Sequence, residues 1–183
     1  MSSQSMQEQE WLLAQVEALA ETQVEAAERP LFRRFLRHYY EVSSLDALRQ
    51  RRPEELFRIC LGHWQLARQR GAGELKLSLA PPQGGRGLAS LDTVVEDMPF
   101  LVDSLSMALR GAGCAIDWTA HPVLALRRDA AGQLQQLRPV TDHEPGAESL
   151  VHLEFEPPRG EAAYTELEAV LREVVRDLSL IHI

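Results

Sequence analysis

The side chains with the most chemical potential in this sequence are its six histidines, two cysteines and 27 acidic residues, and their spacing decides what they can do. His121 and His152 each fall on the polar phase of an alternating stretch, the first beside Thr119 and the second beside Glu154. Two imidazoles, a hydroxyl and a carboxylate on neighbouring strands would suit a small zinc-type site. The plainer alternative is a polar sheet face that meets solvent or another domain, since spacing alone does not fix strand register. Ser104, within DSLS, invites a triad with His121 and Asp129, but the strand-turn-helix G-x-S-x-G elbow is missing. A serine inside a helix ordinarily bonds to its own backbone. The Arg127-Arg128 pair has the fork geometry to hold a carboxylate, with a solvated hairpin rim as the alternative. His63, His143 and His182 have no partner at a useful spacing. The Gly-Gly-Arg-Gly at 84–87 fits neither the Walker spacing nor G-x-G-x-x-G, and reads as a flexible connection. The segment is therefore assigned no catalytic residue, no cofactor-binding residue and no metal ligand.

One corner stands out. Asp97, Pro99 and Phe100 open an apolar helical stretch that continues through Asp103, so an acid, a proline and an aromatic ring meet where a strand becomes a helix. Together with His121 these residues form the candidate binding corner or interface.

Several function classes are disfavoured by composition. A net charge of -8 and a pI near 5.3 lack the basic stripe that phosphate backbones require, so nucleic acid is not an expected partner. The start MSSQSMQEQEWLL has no basic region followed by an apolar one, and no apolar run reaches the length of a membrane span. Cys60 and Cys114 lie far apart without ligand spacing, which suits reduced thiols and a cytoplasmic protein.

The elements that must position these residues follow from periodicity. Residues 7–28 are strong helix formers with Trp11, Leu12, Val16, Leu19 and Ala20 at helical spacing. Pro30 suits the first turn of a second helix over 31–40, Ser43 and Ser44 cap a short third, and Pro53 opens a fourth. At Gly73 the period changes to alternation, which sets a boundary between a helical segment, 1–72, and a second module, 73–183. That module reads as strands near 75–79 and 91–95, the helix from 101, and a strand over 116–127 interrupted by Pro122. A hairpin turns at Asp129-Ala-Ala-Gly132, a strand covers 151–156, and a last helix runs over 161–178. The fold class expected is α+β: a helical N-terminal segment followed by a two-layer ferredoxin-like sandwich with an antiparallel sheet.

The stretches DTVVEDMPFLVDSLSMALRGAG, AHPVLALRRDAAGQL and ESLVHLEFEP resemble the N-terminal region of the large bacterial NAD-specific glutamate dehydrogenases, and YYEVSSLDALRQRRPEELFRICLGHWQLARQRGAGELKLSLAPP is similar to that family's helical lead-in. The resemblance implies the first of several ACT-like modules, in a regulatory or assembly role. It implies NAD as cofactor of the whole enzyme, with the nicotinamide site and the catalytic lysine and aspartate far downstream. Expected partners are the remaining domains of the same polypeptide and further copies in a homo-oligomer. In amino-acid-binding ACT domains the corner after the first strand often ends in glycine, whose missing side chain lets backbone amides approach a carboxylate. With Phe100 there instead, the ring is expected to fill the corner or anchor a neighbouring domain, and Asp97 to cap the helix. The tail Ser179-Leu-Ile-His-Ile resembles translated adaptor sequence, and a ferredoxin-like module needs a strand after the last helix. The module is therefore expected to be truncated at its C-terminus, with an open sheet edge. The alternative is a stand-alone ACT-like module that binds an amino acid or dimerises.

Overall fold

The computed structural model describes residues 3–82, 86–140, 146–158 and 160–181; His143, His182 and the Gly84-Gly85 pair lie outside them. Five helices come first: α1 (Ser3–Ala18), α2 (Ala20–Gln23), α3 (Arg29–Glu41), α4 (Leu45–Arg49) and α5 (Pro53–Ala67). Prolines sit in the first turns of α3 and α5, where their missing N–H costs nothing. Ser44 caps α4, its hydroxyl oxygen accepting from the Ala47 amide at 3.3 Å. The apolar stripe read for the first helix needs one correction, because Trp11 is 69% exposed while Leu12, Leu13 and Val16 face inward.

The second part is β1 (Lys76–Ala80), β2 (Ala89–Glu96), α6 (Leu101–Gly111), β3 (Ile116–Ala120), β4 (Val123–Arg128), β5 (Leu134–Pro139), β6 (Glu148–Phe155) and α7 (Glu161–Ile181). The sheet order is β1-β2-β6-β4-β5, with β3 also on β6, and every pairing is antiparallel. Pro122 breaks one long strand into β3 and β4, which dock end to end along β6. Topologically β2, α6, β3/β4 and β6 are the split βαβ of a ferredoxin-like unit. The place beside β2 that a strand after α7 would take is filled by β1, so that edge of β2 is not open. Arg172 of α7 also donates to the Leu77 carbonyl at 3.3 Å.

Both sheet faces are covered. The helices α6 and α7 pack on one, with Leu101, Leu105, Leu109, Leu167 and Leu171 against Leu91, Val151, Leu153 and Phe155. The N-terminal helices pack on the other, with Phe32, Phe35, Leu56 and Trp64 in one cluster with Val94, Trp118, Leu124, Leu137 and Leu150. The helical segment thus adds a third layer to the sandwich. Residues 67–71, where the two parts join, are stitched to the β4–β5 hairpin: Arg70 N–H donates to Gly132 O at 3.0 Å and Leu134 N–H to Arg68 O at 2.9 Å. Gly132, at φ 80°, permits this approach, since a Cβ there would stand 2.5 Å from the Arg70 carbonyl oxygen. No helix among the described residues is long and apolar enough to cross a membrane.

Candidate functional site

The corner between β2 and α6 carries the predicted site residues. Phe100 is the N-cap of α6 and sits in the left-handed region at φ 64°, the one described non-glycine residue with positive φ. The backbone therefore keeps the conformation that glycine would supply, at a cost of about 1–2 kcal/mol for a residue with a Cβ. Phe100 is 69% exposed, so it does not fill the corner from within this chain. Asp97 does not cap the helix either, because α6 has no side-chain cap. Its amide donates to Ala147 O at 2.8 Å, and its carboxylate accepts the Ser149 hydroxyl. Since that hydroxyl proton points to Asp97, the 3.0 Å contact between Ser149 Oγ and His121 Nε2 places a proton on His121 Nε2. Burial, only partly opposed by the Asp97 charge, pushes the His121 pKa down and keeps the ring neutral. Around this corner lies a cleft of ≈ 830 Å³, whose lining includes Glu96, Asp97, Pro99, Phe100, Asp103 and His121.

The suggested triad does not assemble. Ser104 lines a groove between α6 and α7 with Met107 and Val170. Asp129 binds the Ala131 and Gln133 amides within its hairpin, at 2.9 and 3.0 Å. The histidines of the suggested metal site also part company. Ala120 pairs with His152 across the ladder, so His121, one residue on, lies on the opposite face.

On the face toward the N-terminal helices, β6 presents Glu148, His152 and Glu154, all buried. The charges are paired across the layer. Arg128 grips Glu148 bidentately, Nε to Oε1 at 2.7 Å and Nη2 to Oε2 at 2.8 Å, while Arg70 Nε reaches Oε2 at 2.9 Å. One member of the arginine pair thus holds an internal carboxylate, and Arg127 is exposed. Glu154 accepts from Arg51 Nη2 at 2.5 Å, and the Arg51 guanidinium lies 3.8 Å above the Trp118 ring.

His63, which sequence spacing left without a partner, sits at the centre of this layer. Its Nε2 lies 3.2 Å from Thr93 O, and a carbonyl can only accept, so Nε2 carries the proton. Its Nδ1 lone pair then accepts from the Tyr39 hydroxyl at 2.6 Å. Burial lowers the His63 pKa, so this ring is neutral. His152 Nδ1 donates to Asp92 Oδ1 at 2.5 Å, and its Nε2 lies 3.7 Å from Glu154 Oε1. Burial alone would discharge His152, but the charge and hydrogen bond of Asp92, with Glu154 behind, raise its pKa to about 9. Glu154 is raised by burial but lowered more by its bonds to His152 and Arg51, and ends at about 2. Cys60 and Cys114 are buried free thiols whose pKa values burial pushes up, so neither is a ready nucleophile.

Residues 35–171 match the family described as glutamate dehydrogenase, ACT1 domain. The chain is 30% identical over 151 residues to the NAD-specific glutamate dehydrogenase of Pseudomonas aeruginosa, covering 79% of this chain and 9% of that protein. It is 31% identical over 151 residues to the NAD-specific glutamate dehydrogenase of Halomonas elongata, with the same 79% and 9% coverage. The chain thus spans less than a tenth of the length of these relatives. No solved structure matches it.

Proposed function

This chain belongs to the glutamate dehydrogenase ACT1-domain family, and from that premise we infer that it is the non-catalytic regulatory and assembly region of a large NAD-dependent glutamate dehydrogenase. The whole enzyme oxidises L-glutamate with NAD to 2-oxoglutarate and ammonia in a dehydrogenase domain outside these residues. The observation that carries the reading is the extent of the match. It runs from α3 into α7 and takes in docked helices, sheet and covering helices as one unit.

The residues present do not fit the dinucleotide itself. The turn from β2 into α6 reads Glu-Asp-Met-Pro-Phe, where a pyrophosphate needs glycines and free amides at the helix start. No step of hydride transfer is therefore assigned to them. What the segment offers is surface: the Phe100 ring and the Met107 side chain, both more than two-thirds exposed, on and beside α6. In a polypeptide of the relatives' length, such groups suit contacts with its other domains or with further copies of it. Buried thiols suit a reducing cytoplasm.

The test uses the whole dehydrogenase carrying Phe100→Ala or Met107→Asp. Light scattering and effector titrations are expected to change while kcat stays within about twofold of the parent. The chain alone is expected to form no NADH from glutamate. Turnover by the chain alone, or unaltered assembly and effector response in both variants, would sink the reading.

A second reading, a stand-alone ACT-like module that binds an amino acid, is favoured by the cleft at the α6 corner. Its lining of Glu96, Asp97 and Asp103 would attract the ammonium end of such a ligand. A saturable thermal shift with an amino acid, abolished by Asp97→Asn, would support it, and no shift across the common amino acids would remove it.

A further inference from the structure

The buried layer between α5 and the sheet brings together three metal-competent groups from three elements. His63 comes from α5, Asp92 from β2 and His152 from β6, and one ligand atom from each lies within 4.8 Å of the other two. Buried imidazoles that ligate metals share a signature, in which the nitrogen facing away from the ion donates to a carbonyl or a carboxylate. His63 carries it. His63 Nε2–H is spent on Thr93 O, so Nδ1 carries the lone pair, which meets the Tyr39 hydroxyl and stands 3.5 Å from Asp92 Oδ1. His152 Nε2 makes no hydrogen bond and faces the Glu154 carboxylate at 3.7 Å, which is itself fixed by Arg51. Both rings turn Nδ1 toward Asp92 Oδ1, at 3.5 and 2.5 Å.

We propose that His63, Asp92 and His152 form a site for a divalent transition metal of the zinc class, which clasps the helical layer to the sheet. Imidazole nitrogen with one carboxylate oxygen is a donor set that zinc accepts at about 2.0–2.2 Å, which puts neighbouring ligand atoms about 3.3 Å apart in a tetrahedron. His63 Nδ1 and Asp92 Oδ1 stand 3.5 Å apart, at that edge length. His152 Nδ1 and Asp92 Oδ1 are 2.5 Å apart because they share a proton, and the ion takes that proton's place. Protonated His152 loses its Nδ1 proton to solvent and keeps the one on Nε2, so one proton leaves for each ion bound. An ion on His63 Nδ1 displaces the hydrogen bond that this atom accepts from the Tyr39 hydroxyl at 2.6 Å. Asp92 and His152 face each other across β2 and β6, and His63 joins them only when α5 docks on the sheet, so the ion stabilises the docked state, as a structural metal does.

The test is metal analysis of the full chain, freed of any affinity tag, grown with zinc and stripped of loose metal by brief dialysis. Wild type is expected to hold about one zinc per chain, and its cobalt-substituted form to show intense visible bands of tetrahedral coordination. Zinc added to chelated protein at a hundredfold over Kd should raise Tm by roughly 5–10 °C. His63→Gln, whose amide can still bond Tyr39, is expected to lose the metal, the bands and the zinc-dependent shift. His121→Gln, on the other sheet face, is expected to keep all three. Should His63→Gln fail to fold, the cobalt spectrum and stoichiometry of wild type decide. Folded wild type without stoichiometric zinc or tetrahedral bands would overturn the site, as would metal retained in folded His63→Gln.

Discussion

Replacing Phe100 tests the α6 corner most directly, because two substitutions there should rank in the reverse of their usual order. Inside an ordinary helix or strand, alanine is more stabilising than glycine by about 0.5–1 kcal/mol, through the entropy glycine loses on folding. At φ 64° any residue with a Cβ carries a strain of about 1–2 kcal/mol that glycine escapes. Subtracting the entropic cost leaves Phe100→Gly more stable than Phe100→Ala by about 0.5–1 kcal/mol. The ring contributes little to either comparison, since 69% of the residue is exposed. Phe100→Ala should therefore lie within about 1 kcal/mol of wild type. Urea unfolding followed by circular dichroism resolves this: with a slope near 2 kcal/mol/M, the two variants should differ by about 0.3–0.5 M in midpoint. If alanine equals or exceeds glycine, Phe100 is not left-handed in solution. If alanine costs more than about 2 kcal/mol, the ring is packed within this chain, and its proposed role as a contact for another domain fails.

Other substitutions probe the buried charges and the hairpin clasp. Glu148→Ala strands Arg70 and Arg128 without a counter-charge and should cost about 3–5 kcal/mol in urea unfolding; a loss under about 1 kcal/mol would mean water reaches the pair. Gly132→Ala drives a Cβ against Arg70 O at a positive φ, so it should cost at least about 2 kcal/mol, and cleavage by protease between residues 67 and 73 should quicken. In chelated protein, His152 has a folded pKa of about 9 against 6.5 unfolded. Its contribution is complete below about pH 6.5 and falls as pH rises through 9, by about 3 kcal/mol in all, while His152→Gln should flatten that slope; equal slopes would refute the assignment.

Much of this architecture is legible locally. The switch from helical to alternating period at Gly73, the interruption at Pro122 and the hairpin closing at Gly132 all rest on neighbours within a few residues, and the elements follow them closely. What local pattern cannot supply is the partner of a buried charge. The alternation of His152 and Glu154 reads as a wet face, yet Asp92 and Arg51 reach it from distant parts of the chain, as Arg70 reaches Glu148 on the same strand face. One clue was present: Leu150 shares their phase, and an apolar residue in a charged row points to a covered surface. His63 was obscured for the same reason, since its contacts Tyr39 and Thr93 lie on other elements. At the corner, Phe100 could be placed in a glycine position but not aimed, because the direction of its ring follows from a backbone angle that residue type does not fix.

The core that joins Leu12 to Leu150 also sets a clock. A ribosome delivers the five helices first, with Phe32, Phe35 and Trp64 on a face whose cover, β4 to β6, is still unmade. At about 5–20 residues per second, the wait between α5 and the end of β6 lasts on the order of 4–18 s. Throughout it, Arg51 and His63 stay hydrated rather than entombed. These helices thus pass the seconds after their own synthesis as an open hand that only β6 can close. Chaperone dependence during synthesis would be concentrated there.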